Sequence, residues 1–506
     1  MEQGHALLAL IAIPLLAAAV LVVIPSERKD YVRVFSVLIG AVLFVISAYV
    51  FVAYEAGSEQ FSFDLRYDWL ENVGVLGEDG ITLHLGIDGI AATMILLNGV
   101  VAFAGTLISW KIETKNKDFF VLFFILVTGV FGTFASLDLF FFFFFYELAV
   151  LPMYLLIAVW GASSRFPTFI RTKEYGALKL MMMLVAASVL IFVAIFAVFD
   201  EAGLGTFDLP ALYAHAESGG FDADFQRLVF PLFAVGAGCL AGLWPFHTWS
   251  PDGHVAAPTA VSMLHAGVLM KLGAFGILRL GIQLLPEGAE FWMPGLVILA
   301  TVNILYGAVS AMAQSDFKYM VGYSSVSHMG YVLLGLATLD PVGINGAALQ
   351  MFSHGIMTAL MFAMVGAVYD QAHTRELAAF GGLASKMPRF AVYFAVAGLT
   401  SVGLPGLSGF VAEFNVFVGT FSSYPVAGAL AILGAGITAV YIFRMLALSF
   451  FGQFNEARWG GLQEMTRFEM AGGALLIVFI LFMGLWPDPF VDRISPTVVN
   501  FLPGVG

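Results

Sequence analysis

The sequence predicts an all-α polytopic membrane protein with about 14 transmembrane helices, from its composition and from the spacing of its apolar runs. Of the 506 residues, 60% are hydrophobic and only 11% are charged, against about 25% charged in an ordinary soluble protein. Because so few charged residues cannot cover a water-facing surface, most of the exterior must face lipid. The net charge of -13 argues against nucleic-acid binding, and a single cysteine, Cys239, excludes a disulfide framework.

Apolar runs long enough to cross a bilayer recur along the whole chain, since a hydrocarbon core of about 30 Å needs about 20 helical residues. They lie near 5–24, 32–54, 89–110, 119–137, 139–160, 176–199, 228–248, 257–281, 291–312, 318–339, 344–369, 390–418, 425–451 and 469–487. The first run has no basic region before it and no cleavage site after it, so we expect a retained span and not a signal peptide.

The basic residues predict the orientation, because loops rich in Lys and Arg face the cytoplasm. With the amino terminus outside, the cytoplasmic loops hold fourteen of the 22 basic residues, namely Arg28, Lys29, Arg33, Lys111, Lys115, Lys117, Arg165, Arg171, Lys173, Arg375, Lys386, Arg389, Arg458 and Arg467. The opposite loops are acidic and hold only Arg66, Arg227, Arg279 and Arg493. Both termini are therefore expected on the outer side, in a bacterial inner (plasma) membrane, with Lys318 and Arg444 near helix ends and able to snorkel.

Three charged residues lie deep in the predicted spans, and a fourth lies nearer the end of a span. Glu147 lies in the fifth, Lys271 in the eighth and Glu413 in the twelfth, while Lys179 lies nearer the cytoplasmic end of the sixth. A charge at mid-bilayer costs about 2.5–3.5 kcal/mol on insertion scales, so such residues usually line a bundle interior or a water-filled path. The alternative, ion pairs that only fix helix packing, is less favoured because Ser or Gly packs helices at lower cost.

Neutral polar side chains form stripes on two of the spans. The residues recur at helical spacing, as Gln350, His354 and Thr358 on one span and as Ser324, His328 and Tyr331 on another. A polar stripe can bind water, and histidines titrate near neutral pH. The stripes therefore predict a proton relay between the buried lysine and carboxylate.

Two spans carry helix breakers at comparable places. The seventh contains the sequence WPFH at 244–247, and the twelfth contains GLPGLSG at 403–409. A pair of broken helices predicts two inverted five-helix repeats, made of spans 4–8 and spans 9–13, with two ordinary proline kinks as the alternative. The expected units are residues 1–115 with three spans, 116–283 and 284–452 with one repeat each, and 453–506 with the last span.

Five motifs make the sequence resemble a known family, the M-type antiporter-like membrane subunits of proton-pumping NADH:quinone oxidoreductase, respiratory complex I. The motifs are FFFFFFYELAVLPMYLLIAVWG at 140–161, PFHTWSPDGHVAAPT at 245–259, AGVLMKLGAFGILR at 266–279, QSDFKYMVGYSSVSHMGY at 314–331 and GLPGLSGFVAEF at 403–414. The resemblance implies proton translocation without a cofactor in this chain. Flavin, iron–sulfur clusters and quinone are expected in partner subunits, and L-type and N-type antiporter-like chains are expected as neighbours in the membrane arm.

The family's relay residues carry over to this chain by matching motif, as Glu147, Lys179, Lys271, His328, His354 and Glu413. A glutamate at position 413 favours the M type, because the L-type and N-type chains are expected to have lysine there. The sequence ends soon after the last predicted span, at Pro503 to Gly506, so we do not expect the long lateral helix of an L-type chain.

One position departs from the family pattern. The resemblance implies a seventh-span lysine that pairs with Glu147, five residues before Pro245, and Leu240 stands there. Three interpretations remain open: another residue substitutes for the lysine, Glu147 is protonated, or this half of the chain is inactive. We favour substitution by Lys179 or by His265, which stands where the family more usually has an aliphatic residue.

Three polar residues of the motif between the seventh and eighth spans, His247, Asp252 and His254, predict a hydrogen-bond network that organises a cytoplasmic loop. They lack the spacing of a zinc site, so no metal is expected in this chain. Two other functions share the motifs: a subunit of a multisubunit Na⁺/H⁺ antiporter, and a membrane subunit of a hydrogenase- or ferredoxin-driven complex.

Overall fold

The computed structural model describes residues 3–56, 60–77, 79–165 and 170–502, and this part of the chain is largely helical. The helices are α1 (Gly4–Val23), α2 (Lys29–Ala53), α3 (Gly89–Ile108), α4 (Asn116–Ala135), α5 (Leu139–Trp160), α6 (Lys173–Ala202), α7 (Leu209–Glu217), α8 (Ala223–Ala241), α9 (Trp249–Ala256), α10 (Thr259–Leu264), α11 (Met270–Gly276), α12 (Pro286–Met312), α13 (Phe317–Ala337), α14 (Pro341–Ala372), α15 (Leu383–Lys386), α16 (Pro388–Ser401), α17 (Ser408–Ser423), α18 (Pro425–Phe450), α19 (Glu456–Trp459), α20 (Arg467–Leu485) and α21 (Asp488–Phe501). The strands are β1 (Ser62–Leu70), β2 (Ile81–Ile87), β3 (Ser164–Arg165) and β4 (Ile170–Arg171), in two antiparallel hairpins that the hydropathy pattern did not predict.

Every predicted apolar run coincides with a helix or a pair of helices. Among the described residues, 12 helical segments are long and apolar enough to cross a membrane. The other two predicted spans are α13, which carries the polar stripe of His328, and the pair α16 and α17. The polytopic membrane fold is thus confirmed, while the count of 14 holds only approximately.

Both predicted helix breaks are present. The seventh span ends as α8 at Ala241 and resumes as α9 at Trp249, and the twelfth ends as α16 and resumes as α17. The gaps contain prolines, which lack the backbone N–H that a helix needs. They also contain glycines at positive φ, Gly242 at 81° and Gly403 at 73°, a conformation that other residues adopt only with strain. The broken helices 7 and 12 are therefore confirmed.

The centre of the fold is formed by the eighth span and α14, both entirely buried within the protein. The eighth span is irregular, because π-helical turns at His265–Leu269 and Ile277–Ile282 flank α11. The two helices touch at glycines, since a Cβ on Gly355 of α14 would lie 2.6 Å from the Gly267 carbonyl oxygen. Helices enclosed on all sides by protein can carry polar side chains that lipid would exclude.

Two basic residues lie differently from their predicted places. Lys318 was expected to snorkel, but it is only 3% exposed and its Nζ donates to the Ala257 carbonyl at 2.6 Å. Arg279 was placed in an outer loop, yet it lies in the π-helical end of the eighth span, buried in an ion pair with Asp88 at 2.6 Å. The prediction that Lys318 snorkels was wrong, and the sequence did not reveal the buried partner of Arg279, because in each case the partner is distant in sequence.

A cluster of acidic residues fixes the hairpin of β1 and β2 to the helices beside it. His84 on β2 lies between two carboxylates, with Nδ1 2.5 Å from Asp208 Oδ1 and Nε2 2.8 Å from Asp64 Oδ2. Asp208 caps α7 and Asp138 caps α5, and Asp138 also accepts the backbone N–H of Thr82 on β2. Since an ionised carboxylate cannot donate, both contacts are hydrogen bonds only when the imidazole is doubly protonated.

The hairpin is expected to open as the pH rises. Burial alone would lower the pKa of His84, but the hydrogen bonds that its ring donates to Asp208 and Asp64 outweigh burial and raise that pKa above 6.5. A raised pKa means that the cluster is fully stabilising below the unfolded pKa and loses that contribution as pH rises through the folded pKa. At pH 6, His84→Gln should lower the opening free energy of the hairpin by about 1.5–3 kcal/mol. Hydrogen exchange of residues 62–87, corrected for intrinsic rates, measures this, with His215→Gln as control. A difference that persisted above the folded pKa of His84 would contradict the assignment.

Candidate functional site

Lys271, on α11, lies at the centre of the site and is fully buried. Its Nζ donates to the carbonyl of Ala266 and lies 2.7 Å from Nδ1 of His354 on α14. The described residues include no carboxylate in an ion pair with it. The lysine and the histidine therefore form a donor–acceptor pair through which one proton can be shared.

The row of polar side chains continues from His354 to His328 on α13 and Glu413 on α17. Its ring lies 5.5 Å, centroid to centroid, from that of His328, and His328 Nδ1 lies 3.3 Å from Oε1 of Glu413. The structure thus brings four of the predicted relay residues into one continuous line from the eighth span to the twelfth. All four are at most 4% exposed.

Neighbouring hydroxyl and amide groups orient the middle of this line. His328 Nε2 lies 2.9 Å from the Ser401 hydroxyl at the end of α16, and Gln350 Nε2 lies 3.3 Å from His328 Nδ1. The Ser353 hydroxyl donates to Ser408, which joins α14 to the start of α17 at 2.8 Å. The break in the twelfth span therefore places both a serine and a glutamate against one histidine.

Two histidines that precede Lys271 in the sequence pack ring against ring, with their planes tilted by 34°. The ring centroids of His265 and His254 lie 3.9 Å apart, and the ring of Trp249 lies 5.1 Å from His265 on another side. Both histidines are fully buried. Within the described ranges, none of their four ring nitrogens has a hydrogen-bond partner in the protein, which leaves those nitrogens available to water or to an incoming proton.

Lys179 is paired with Asp252. Its Nζ lies 2.8 Å from Asp252 Oδ2, and the same carboxylate pairs with Arg171 and accepts the Tyr319 hydroxyl at 3.1 Å. Of the three residues predicted to organise a loop, Asp252 is the one that holds such a network. His247 and His254 contribute no ring hydrogen bond within the described part of the chain. The segment is helical and not a loop, because Asp252 and His254 lie on α9 and His247 lies on the short 3-10 helix Phe246–Thr248 before it.

Glu147, on α5, is only partly buried. Its Oε1 has no hydrogen-bond partner among the described residues, and neither Lys179 nor His265 forms an ion pair with it there. Leu240 is fully buried, and its backbone packs against Gly273 of α11. An apolar side chain thus occupies the place where the family resemblance implies a lysine.

Two polar contributions escaped the sequence analysis. Nothing in the sequence pattern marks Ser401 as a contact of His328, because a single hydroxyl in an apolar helix commonly bonds only to the backbone of its own helix. The buried pair of Asp88 and Arg279 joins the start of α3 to the end of the eighth span, and its residues are distant in sequence. Within the described residues, no group of three His, Cys, Asp or Glu side chains is placed to hold a metal ion.

Comparison with known proteins agrees with this geometry. A family described as "NADH:quinone oxidoreductase/Mrp antiporter, TM" matches residues 136–438. The NADH-quinone oxidoreductase subunit M of Rickettsia typhi is 32% identical over 97% of both chains. The NAD(P)H-quinone oxidoreductase chain 4-2 of Synechocystis sp. is 36% identical over 89% of this chain and 79% of that relative.

Solved structures show the same fold. A chain in the structure of respiratory complex I from Thermus thermophilus with bound NADH superposes with a TM-score of 0.88 at 26% identity, over 99% of this chain and 100% of that one. A chain of the Mrp complex from Dietzia sp. has a TM-score of 0.83 at 19% identity, over 100% of this chain and 98% of that one, which shows the fold alone. The chain belongs to the membrane-subunit family that NADH:quinone oxidoreductase and Mrp antiporters share.

Removing the serine that contacts His328 tests whether the relay needs an oriented ring. We expect Ser401→Ala to lower proton pumping by several-fold with little change in assembly, because the ring loses the bond that fixes its orientation. Pumping in membrane vesicles is the measurement. Thr400→Val is a matched control, since among the described residues the Thr400 hydroxyl bonds only to the Val396 carbonyl of its own helix, at 2.7 Å. Equal pumping in the two variants would contradict this role of Ser401.

Proposed function

We propose that this chain is a proton-translocating membrane-arm subunit of an NADH:quinone oxidoreductase. The observation that carries the proposal is the unbroken line from Lys271 through His354 and His328 to Glu413. Lys271 and His354 are within direct hydrogen-bond reach, and in this proposal one water carries the proton between the rings of His354 and His328. Electron transfer belongs to partner subunits that hold the flavin, the iron–sulfur clusters and the quinone site.

The line joins the two halves of the chain. Lys271 belongs to the proposed first repeat, residues 116–283, while His328, His354 and Glu413 belong to the proposed second repeat, residues 284–452. A proton that enters the first half can thus reach the second through the contact of Lys271 with His354. In this proposal, an L-type and an N-type antiporter-like subunit lie next to this chain, one at each end of the path.

The input to Lys271 runs, in this proposal, past Lys179 and His265 and not through a seventh-span lysine. His265 is five residues before the first residue of α11, and its buried ring packs at a tilt against that of His254. Lys179 holds the Asp252 network at the basic end of α6. With the amino terminus outside, this end faces the cytoplasm, from which the protons are taken up.

A test of the central lysine separates pumping from a structural role. Lys271→Met removes the ammonium that contacts the Ala266 carbonyl and His354. Because the relay then lacks its central group, the proton-to-electron ratio should fall while NADH oxidation continues. The ratio is measured in sealed membrane vesicles. Lys173→Met, an α6 lysine that donates to the Val159 carbonyl, is the control. A ratio equal to that of the unaltered complex would mean that the chain serves only as structure.

A second experiment tests the input branch. Lys179→Met and His265→Leu should each reduce pumping, and the double variant should abolish coupling, because together they replace the missing lysine. The assay again compares protons moved per electron, with NADH oxidation as the check on assembly. Full pumping in the double variant would contradict the hypothesis that Lys179 and His265 replace the lysine. It would not bear on the proposed relay from Lys271 to Glu413.

A further inference from the structure

A deep groove opens on the outside of the bundle, away from the relay line. It encloses about 570 Å³ between α2 and α20, with Leu96 of α3 at its base. Its rims carry Val52, Val478 and Trp486, which are 69%, 59% and 58% exposed. Side chains this apolar and this exposed, on helices that cross a membrane, meet lipid and not water.

The groove has one polar end, where α21 crosses it. Asp488, Asp492 and Arg493 of α21 line that end. The guanidinium is held in place: its Nε donates to the Phe51 carbonyl at 2.7 Å, Nη1 to Pro489 at 2.7 Å and Nη2 to Val52 at 3.3 Å. A guanidinium has five N–H donors, so two remain for another acceptor.

The two aspartates complete a mixed charge pattern. Both are exposed, and neither forms an ion pair or accepts a side-chain hydrogen bond in the part of the chain that the structure describes. The end of the groove therefore offers two carboxylates for a cation and two N–H donors for an anion. A long apolar trough with this rim matches an amphiphile whose headgroup has both a phosphate and an ammonium.

We propose that the groove binds one phospholipid with an ethanolamine headgroup, independently of proton transfer. One acyl chain lies between α2 and α20, the phosphate accepts from Arg493, and the ammonium donates to Asp488 and Asp492. A choline head carries the same charge but has no N–H to donate, and an anionic head without an amine would face two carboxylates. Both features select ethanolamine.

The bound lipid supports the helix that holds His354. Phe479 and Phe482 line the groove, and the ring of Phe352 on α14 lies 6.3 Å from Phe479 and 4.8 Å from Phe490 on α21. The aromatic side chains thus fill the space between the groove and α14. An acyl chain in the groove holds these rings against α14 through ordinary van der Waals contact.

The whole purified complex is first equilibrated in nanodiscs made from equal parts of phosphatidylethanolamine, phosphatidylcholine and phosphatidylglycerol. It is then transferred to detergent and washed, and the test measures the lipid that stays bound. Mass spectrometry of the extracted lipid gives the number and class retained. We expect Ala48→Trp, which fills the groove, to lose one phosphatidylethanolamine per complex. Asp488→Asn with Asp492→Asn should reduce the preference for ethanolamine several-fold. The control is Asp200→Asn with Glu201→Gln, which removes two carboxylates at the C-terminal end of α6. It should retain as much phosphatidylethanolamine as the unaltered complex.

Two outcomes would overturn the proposal. One is equal retention of the three lipid classes, or an unchanged ethanolamine count in Ala48→Trp. The other is a photo-crosslinking residue at position 52 that attaches to a neighbouring polypeptide instead of lipid, which would make the groove a subunit contact. Because the readout is bound lipid, failure here leaves the proton relay untouched, and loss of pumping in a relay variant leaves the lipid site untouched.

Discussion

The contact of Lys271 with His354 is the interaction on which the rest of the structure depends. A lysine ammonium buried with no carboxylate partner among the described residues costs several kcal/mol, and the nearby imidazole nitrogen offers a place for its proton to go. The protein cannot hold the lysine permanently charged and uncompensated. In the proposed relay, this unfavourable burial is what lets the lysine take up and release a proton.

That contact imposes strict packing on the centre of the fold. The eighth span and α14 must approach closely, which the glycines at 267 and 355 permit, and both must be shielded from lipid by the surrounding helices. The break between α16 and α17 then brings Glu413 and Ser401 to His328. The proposed relay therefore depends on the break in the twelfth span as well as on the charged side chains.

Much of this was readable from the sequence, because hydropathy marks spans and a charge inside a span marks function. The breaks followed from proline and glycine, the histidines at 328 and 354 from helical spacing, and the assignment of the relay also from the family resemblance. Pairings between distant segments were not readable: His84 with Asp64 and Asp208, Arg279 with Asp88, and Lys318 with the Ala257 carbonyl leave no local pattern. Lysine and arginine near span ends usually snorkel, and only tertiary structure shows where they turn inward.

Continuity of the line from Lys271 to Glu413 is the central claim, and infrared difference spectroscopy of the working complex tests it most directly. The account predicts that the band of the protonated Glu413 carboxyl, identified by its loss in Glu413→Gln, changes during turnover and that His354→Ala abolishes this change while electron transfer continues. A Glu413 band that still changes in His354→Ala would show that protons reach the glutamate by another path, and would contradict the account.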